Sequence, residues 1–138
     1  MGHRGPFDAV AKRGSVARWT DADALRRPGV ALVMRRGDVH LVRLDPTLGS
    51  EIHKTRPCVV VSPDELNQHL RTVVVAPMTT GGHGYPWRVR CRFQRRSGFV
   101  ALDQIRTVDQ ERLVKRLGEI ASGSLADVLQ GLEEMFAE

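Results

Sequence analysis

Two polar stretches hold most of the side chains able to do chemistry on a charged substrate. The first, residues 47–56, offers a carboxylate (Glu51), an imidazole (His53), an ammonium (Lys54) and a guanidinium (Arg56) just before the apolar run Pro57-Cys-Val-Val-Val61. The second, residues 79–86, offers the hydroxyls of Thr79 and Thr80, then His83 and Tyr85 among glycines. An arginine stays protonated and meets phosphate as a forked donor, so Arg56 suits charge stabilisation better than proton transfer. Histidines and a carboxylate suit proton transfer, which makes His53, His83 and Glu51 the candidates. A hydroxyl where an apolar run meets a glycine-rich loop can bond a phosphate oxygen, which singles out Thr79, with Thr80 as its neighbour and rival. Each residue also has a plainer role: an arginine on a surface carboxylate, a threonine steadying a turn, histidines in solvent. From residue types alone both roles stay open. There is no H-x-x-x-H spacing, no paired aspartate motif and no cysteine cluster, so neither a metal nor any other cofactor is expected.

A second group of residues suits recognition. Tyr85 and Trp87 flank Pro86, and flat rings can stack on unpaired bases. Arg88, Arg90 and Arg92 alternate with Trp87, Val89, Cys91 and Phe93, which predicts a strand with a basic face and an apolar face; Trp87 is expected to be partly core. Gln104 and Arg106 sit in a late strand-like run, where their side chains can read base edges. The formal net charge is +5 and the sequence pI about 10.0, which favours a polyanionic partner.

The elements that must position these groups are mostly strands. Residues 1–34 are rich in arginine and glycine and lack a long periodic pattern; they read as a basic N-terminal extension, with one short helical turn near Thr20–Asp23 and a short strand near Gly29–Val33. Residues 35–138 read as one domain. Strands are predicted over Val39–Leu44, Pro57–Ser62, Thr72–Pro77, Trp87–Phe93, Gly98–Leu102 and Gln104–Val108, with one helical turn within Pro63–Leu70 and a turn over Gln94–Ser97. Leu125, Val128, Leu129, Leu132, Met135 and Phe136 recur at helical spacing, after a capping pair of Ser124 and Asp127. The pattern is mainly β with α: a small barrel capped by an amphipathic helix. Cys58 and Cys91 fall in apolar runs and are expected as buried thiols in a reducing compartment. No apolar run nears the ~20 residues of a membrane span, and the N-terminal residues lack the apolar core of a secretory signal. A bacterial cytoplasm is expected, with no membrane partner.

Eight short motifs then appear in order: Arg36-Gly-Asp-Val39, Leu44-Asp-Pro-Thr47, Gly49-Ser-Glu51, Lys54-Thr-Arg-Pro57, Val59-Val-Val-Ser-Pro63, Val75-Ala-Pro-Met-Thr79, Gly84-Tyr-Pro86 and Leu102-Asp-Gln-Ile-Arg106. Singly they are weak; together, from Met34 onward, the chain resembles the MazF/PemK family of toxin-antitoxin endoribonucleases. The resemblance implies an SH3-like barrel, a homodimer, a cognate antitoxin with an acidic disordered tail, and metal-independent, sequence-specific cleavage of single-stranded RNA that stops translation and growth. It assigns Arg56 and Thr79 as the catalytic pair. With them go RNA-binding residues drawn from Glu51, His53, Lys54, Thr80, Tyr85, Trp87, Gln104 and Arg106. One position departs from the pattern: His40 stands where the family usually has an aromatic. Two alternatives share the fold, a gyrase-poisoning toxin and a non-catalytic RNA-binding module. The first acts through a Trp-Gly-Ile ending, whereas this sequence ends Glu134-Met-Phe-Ala-Glu138.

Overall fold

The computed structural model describes residues 33–80 and 84–138. The extension assigned to residues 1–34 therefore lies almost wholly outside the described residues, as does His83.

Seven antiparallel strands and two helices make the domain. They are β1 (Asp38–Arg43), β2 (Thr55–Val60), α1 (Asp64–His69), β3 (Thr72–Thr79), β4 (Arg88–Phe93), β5 (Arg96–Ala101), β6 (Arg106–Asp109), β7 (Leu113–Glu119) and α2 (Ser122–Phe136). The strand order is β4-β5-β3-β2-β1-β7, with β6 also on β3. The ladder does not close: β4 and β7 are its ends, and Phe93 lies against Gly118 where the ends approach. The mainly-β class with a helical cap stands, as a strongly wrapped open sheet.

The unbroken valine runs follow from burial on both faces. Val59 and Val61, with Val39, Ala76, Met78, Val100 and Leu102, face the cluster that α2 covers through Val128. Cys58 and Val60 face the other way, onto Val42, Leu44, Val73, Val75, Val108 and Leu113. Truncating any of the fully buried leucines to alanine should cost about 2–5 kcal/mol.

β3 is the corner of the sheet. One edge pairs with β2; the other pairs with β6 over Thr72–Val75 and with β5 over Met78–Thr79. Ala76 and Pro77 fall between those two partners. A proline without an N–H is tolerated there, so the strand runs on to Thr79, past the predicted end at Pro77.

Other boundaries differ from the sequence pattern for local reasons. Gln94 and Arg95 both have positive φ (52° and 66°) and form a two-residue hairpin turn, so β5 resumes at Arg96, earlier than predicted. Helix α2 starts at Ser122 behind Ala121, without a side-chain cap; Ser124 and Asp127 lie inside it and are not a capping pair. Strand β7, unforeseen in the sequence, pairs along β1 with two register shifts. Its irregular path explains why no clean alternation appears there. Gly37 enters β1 at φ 95°, and a Cβ there would sit 3.0 Å from Leu125 of α2. Only glycine meets both demands. The cysteines are free and buried, as expected, and burial pushes the Cys91 thiol up to about 11.

Candidate active site

Arg56 lies on β2, opposite Val42 of β1. Cys58 pairs with Pro77, Val59 with Ala76 and Val60 with Val75. This β2–β3 ladder ends at Cys58 and Pro77, with Arg56 two residues beyond it on one strand and Thr79, the last residue of β3, two residues beyond it on the other. Two segments distant in sequence thus place an arginine and a threonine at the same end of the β2–β3 pair.

The Arg56 side chain is half-buried, and its Nε donates to the His53 carbonyl at 2.9 Å. Burial pulls its pKa below the ordinary arginine value, with the neighbouring Cys58 acting in the opposite sense. The group keeps its charge but meets less water, which strengthens its action on a nearby anion. Arg106 shares this neighbourhood: Arg56 and Arg106 both act electrostatically on the buried Cys58 thiol.

A cleft of about 500 Å³ has walls that include Glu51, Ile52, Pro77, Gln104 and Arg106. Its shape is fixed by side chains bonded to backbone. Gln104 accepts from the Ile52 N–H at 2.7 Å and donates to the Ser50 carbonyl at 3.4 Å. Arg106 donates to the Leu44 carbonyl at 3.0 Å. Arg112 donates to the carbonyls of Arg43 and Asp45, at 3.1 and 2.7 Å. Glu51 accepts the Leu48 N–H at 2.7 Å. The Asp45 carboxylate is held below its usual range by the Lys54 N–H and then by the Thr47 hydroxyl.

The remaining sequence candidates are dispersed around this centre. His53 and Lys54 are exposed in the first loop, Lys54 with a positive φ of 69°. The Thr80 hydroxyl is buried without a hydrogen-bond partner among the described residues. Tyr85 is 54% exposed, with the Arg88 guanidinium 5.9 Å from its ring centre. Trp87 corrects the expectation of a core role. It precedes β4 in a positive-φ turn, is 39% exposed, and does not join the core cluster that takes in Val89, Cys91 and Phe93. Gln104 is likewise not on a strand: Leu102–Gln104 is a 3-10 turn, and β6 begins at Arg106. The turn aims the Gln104 amide back at the first loop.

Sequence reasoning missed the Asp103–Arg88 pair, a two-bond fork at 2.6 and 2.9 Å beside the cleft, and the clamps made by Arg43 and Arg112. These contacts join residues far apart in the chain and leave no local spacing to find. Among the described residues no His, Cys, Asp and Glu cluster could hold a metal ion. No described helix is long and apolar enough to cross a membrane.

Comparison with known proteins bears on the family and the fold. Residues 35–136 match the family model described as the PemK-like, MazF-like toxin of type II toxin-antitoxin systems. Endoribonuclease PemK of Escherichia coli is 38% identical over 102 residues, which cover 70% of this chain and 77% of that protein. Endoribonuclease MazF of Staphylococcus epidermidis is 33% identical over 107 residues, covering 73% and 89% respectively. The crystal structure of MazF from Deinococcus radiodurans superposes with a TM-score of 0.68 at 28% identity, over 76% of this chain and 97% of that one. The eight ordered motifs, the wrapped sheet under a C-terminal helix and these similarities converge: the chain belongs to the PemK-like, MazF-like toxin family of type II toxin-antitoxin systems.

Proposed function

We propose that this toxin is an endoribonuclease that cuts single-stranded RNA at preferred sequences without a metal ion, with Arg56 and Thr79 acting on the scissile linkage. Endoribonuclease activity is the activity named for its relatives. The observation that supports the pair is their placement just past the same end of the β2–β3 ladder.

RNA holds its own nucleophile. The 2′-hydroxyl gives its proton to a base as its oxygen attacks the adjacent phosphorus; the O2′–P bond forms, and the P–O5′ bond breaks as the leaving oxygen takes a proton from an acid. Negative charge grows on the non-bridging oxygens at the five-coordinate stage. A half-buried forked cation at Arg56 favours that stage over the ground state. The Thr79 hydroxyl bonds a non-bridging oxygen or orients the 2′-hydroxyl. Glu51 and His53 in the first loop are the proton-transfer candidates. Exposed Tyr85 and Trp87 provide stacking faces for unpaired bases, and Lys54, Arg90 and Arg92 provide phosphate contacts.

The domain spans residues 35–138, with residues 1–34 as a basic extension; the family match over 35–136 supports that boundary. The toxin works in the cytoplasm as a homodimer. Its antitoxin lays an acidic, disordered tail across the basic groove, for which the net charge of +5 is the motive. An acidic peptide of that kind should inhibit cleavage at low salt and lose its effect as salt rises.

The test is incubation of the purified protein with a long single-stranded RNA in EDTA. Defined fragments that vanish in Arg56→Ala and Thr79→Ala are expected. Intact RNA that is tightly bound would point to the binding module, and intact RNA with altered DNA supercoiling to the gyrase poison.

A further inference from the structure

We propose that Gln104 is a positioning residue that steadies the Arg56 guanidinium through the backbone of the first loop, and is not a reader of RNA bases. Its oxygen accepts the Ile52 N–H at 2.7 Å and its nitrogen donates to the Ser50 carbonyl at 3.4 Å. The amide edge that a base would need, oxygen and nitrogen together, is therefore turned to the protein. One residue beyond Ile52, the His53 carbonyl accepts the Arg56 Nε–H at 2.9 Å. Between the two bonded backbone atoms, Ile52 N and His53 O, there is little chain to absorb a displacement. Ile52 has little freedom of its own, since its side chain packs against the buried Leu44 and Val75 cluster. The loop stem is closed on both sides: Leu44 N–H bonds the Lys54 carbonyl at 2.8 Å, and Arg106 bonds the Leu44 carbonyl. A shift at Ser50–Ile52 is thus passed toward His53 and Arg56, because the stem cannot take it up.

The inference rests on the proposed role of Arg56, and the test separates the two. Gln104→Met keeps the side-chain length and removes both bonds. Gln104→Asn keeps the amide but falls one methylene short, and serves if the methionine variant folds poorly. Three quantities are read in the full-length chain: kcat and KM on defined single-stranded oligonucleotides, hydrogen exchange at Ile52 N–H and Arg56 Nε–H by NMR, and residual cleavage in an Arg56→Ala background. Misplacing a reacting group by about 1 Å can cost up to ~10²-fold, so a kcat loss of about 10-fold is expected, with KM within about 2-fold and the same loss on every cleavable sequence. Exchange at both protons should quicken, and Gln104→Met should add nothing to Arg56→Ala. Unchanged exchange at Arg56 Nε–H, or relaxed discrimination at one base with kcat intact, would overturn the proposal. Full cleavage by Arg56→Ala with quickened exchange in Gln104→Met would instead sink the catalytic assignment and leave the positioning role standing.

Discussion

The two loops at the rim of the sheet are built by different physics. The first, between β1 and β2, is clamped by Gln104, Arg106, Arg112 and Glu51, each bonded to backbone atoms. The second ends in the turn Gly84–Trp87, which is held at its exit by backbone bonds, Arg88 N–H to Tyr85 and Leu102 N–H to the Trp87 carbonyl. Its aromatic rings are left exposed. A clamped loop suits a charge that must be in place before the reaction, because preorganised donors pay no reorganisation at the barrier. Exposed rings suit binding, because stacking tolerates variation in pose. The difference suggests a division of labour: the first loop governs rate and the second governs affinity.

Substitutions can break or sharpen that division. The largest effect belongs to Arg56→Ala, for which kcat should fall about 10²–10³-fold, the usual loss for one transition-state donor. Thr79→Val should come next: loss of one hydrogen bond to a charged group is worth about 1.5–3 kcal/mol, so kcat should fall roughly 10–100-fold with the fold retained. Tyr85→Ala and Trp87→Ala should each weaken RNA binding by about 1–3 kcal/mol, seen as a raised Kd, while the rate at saturation holds. A clear rate loss in either would blur the division.

The smallest effect on cleavage is expected at His40, which lies opposite Cys58 of β2 and outside both loops. It is fully buried on β1, with no hydrogen bond to either ring nitrogen among the described residues and Asp38 Oδ2 3.9 Å from Nε2. Burial lowers its pKa from 6.5 to about 4, against the pull of Asp38 and with help from Arg116. The ring is neutral in the folded state, whereas the unfolded chain takes up a proton below pH ~6.5. Stability is therefore full above that pH and declines as pH falls toward about 4, by up to about 3 kcal/mol. Denaturant unfolding of His40→Phe should show a shallower loss between pH 6.5 and 4 than the parent, with cleavage at neutral pH unchanged. Equal slopes would show that the ring does not carry this dependence.

How much of this was legible follows from the range of the interactions. The buried strands could be read because a sheet covered on both faces needs unbroken apolar runs, as in Pro57–Val61 and Thr72–Ala76. Arg56 and Thr79 could be singled out because each stands where such a run meets a polar loop; that both lie just past the same end of the β2–β3 ladder needed coordinates. Strand β7 was not legible, because its pairing with β1 slips twice. Trp87 was misjudged at the strand boundary, not in phase: Val89, Cys91 and Phe93 keep the predicted face, but β4 begins at Arg88 and the positive φ at Trp87 takes it off the strand. The roles of Gln104, Arg106 and Arg112 were hidden for another reason. They bond to carbonyls and N–H groups, which every residue has, so no partner type appears in the sequence.

The most direct test of the division between the loops is a paired measurement on one single-stranded oligonucleotide: the single-turnover cleavage rate at saturating protein, and the Kd of a non-cleavable 2′-deoxy analogue. Both are taken for Arg56→Ala and for Trp87→Ala. A crossed pattern is predicted, with Arg56→Ala losing about 10²-fold or more in rate and little in affinity, and Trp87→Ala losing affinity by about 10-fold or more with its rate kept. If the two variants lose rate and affinity in the same proportion, the loops do not divide the work.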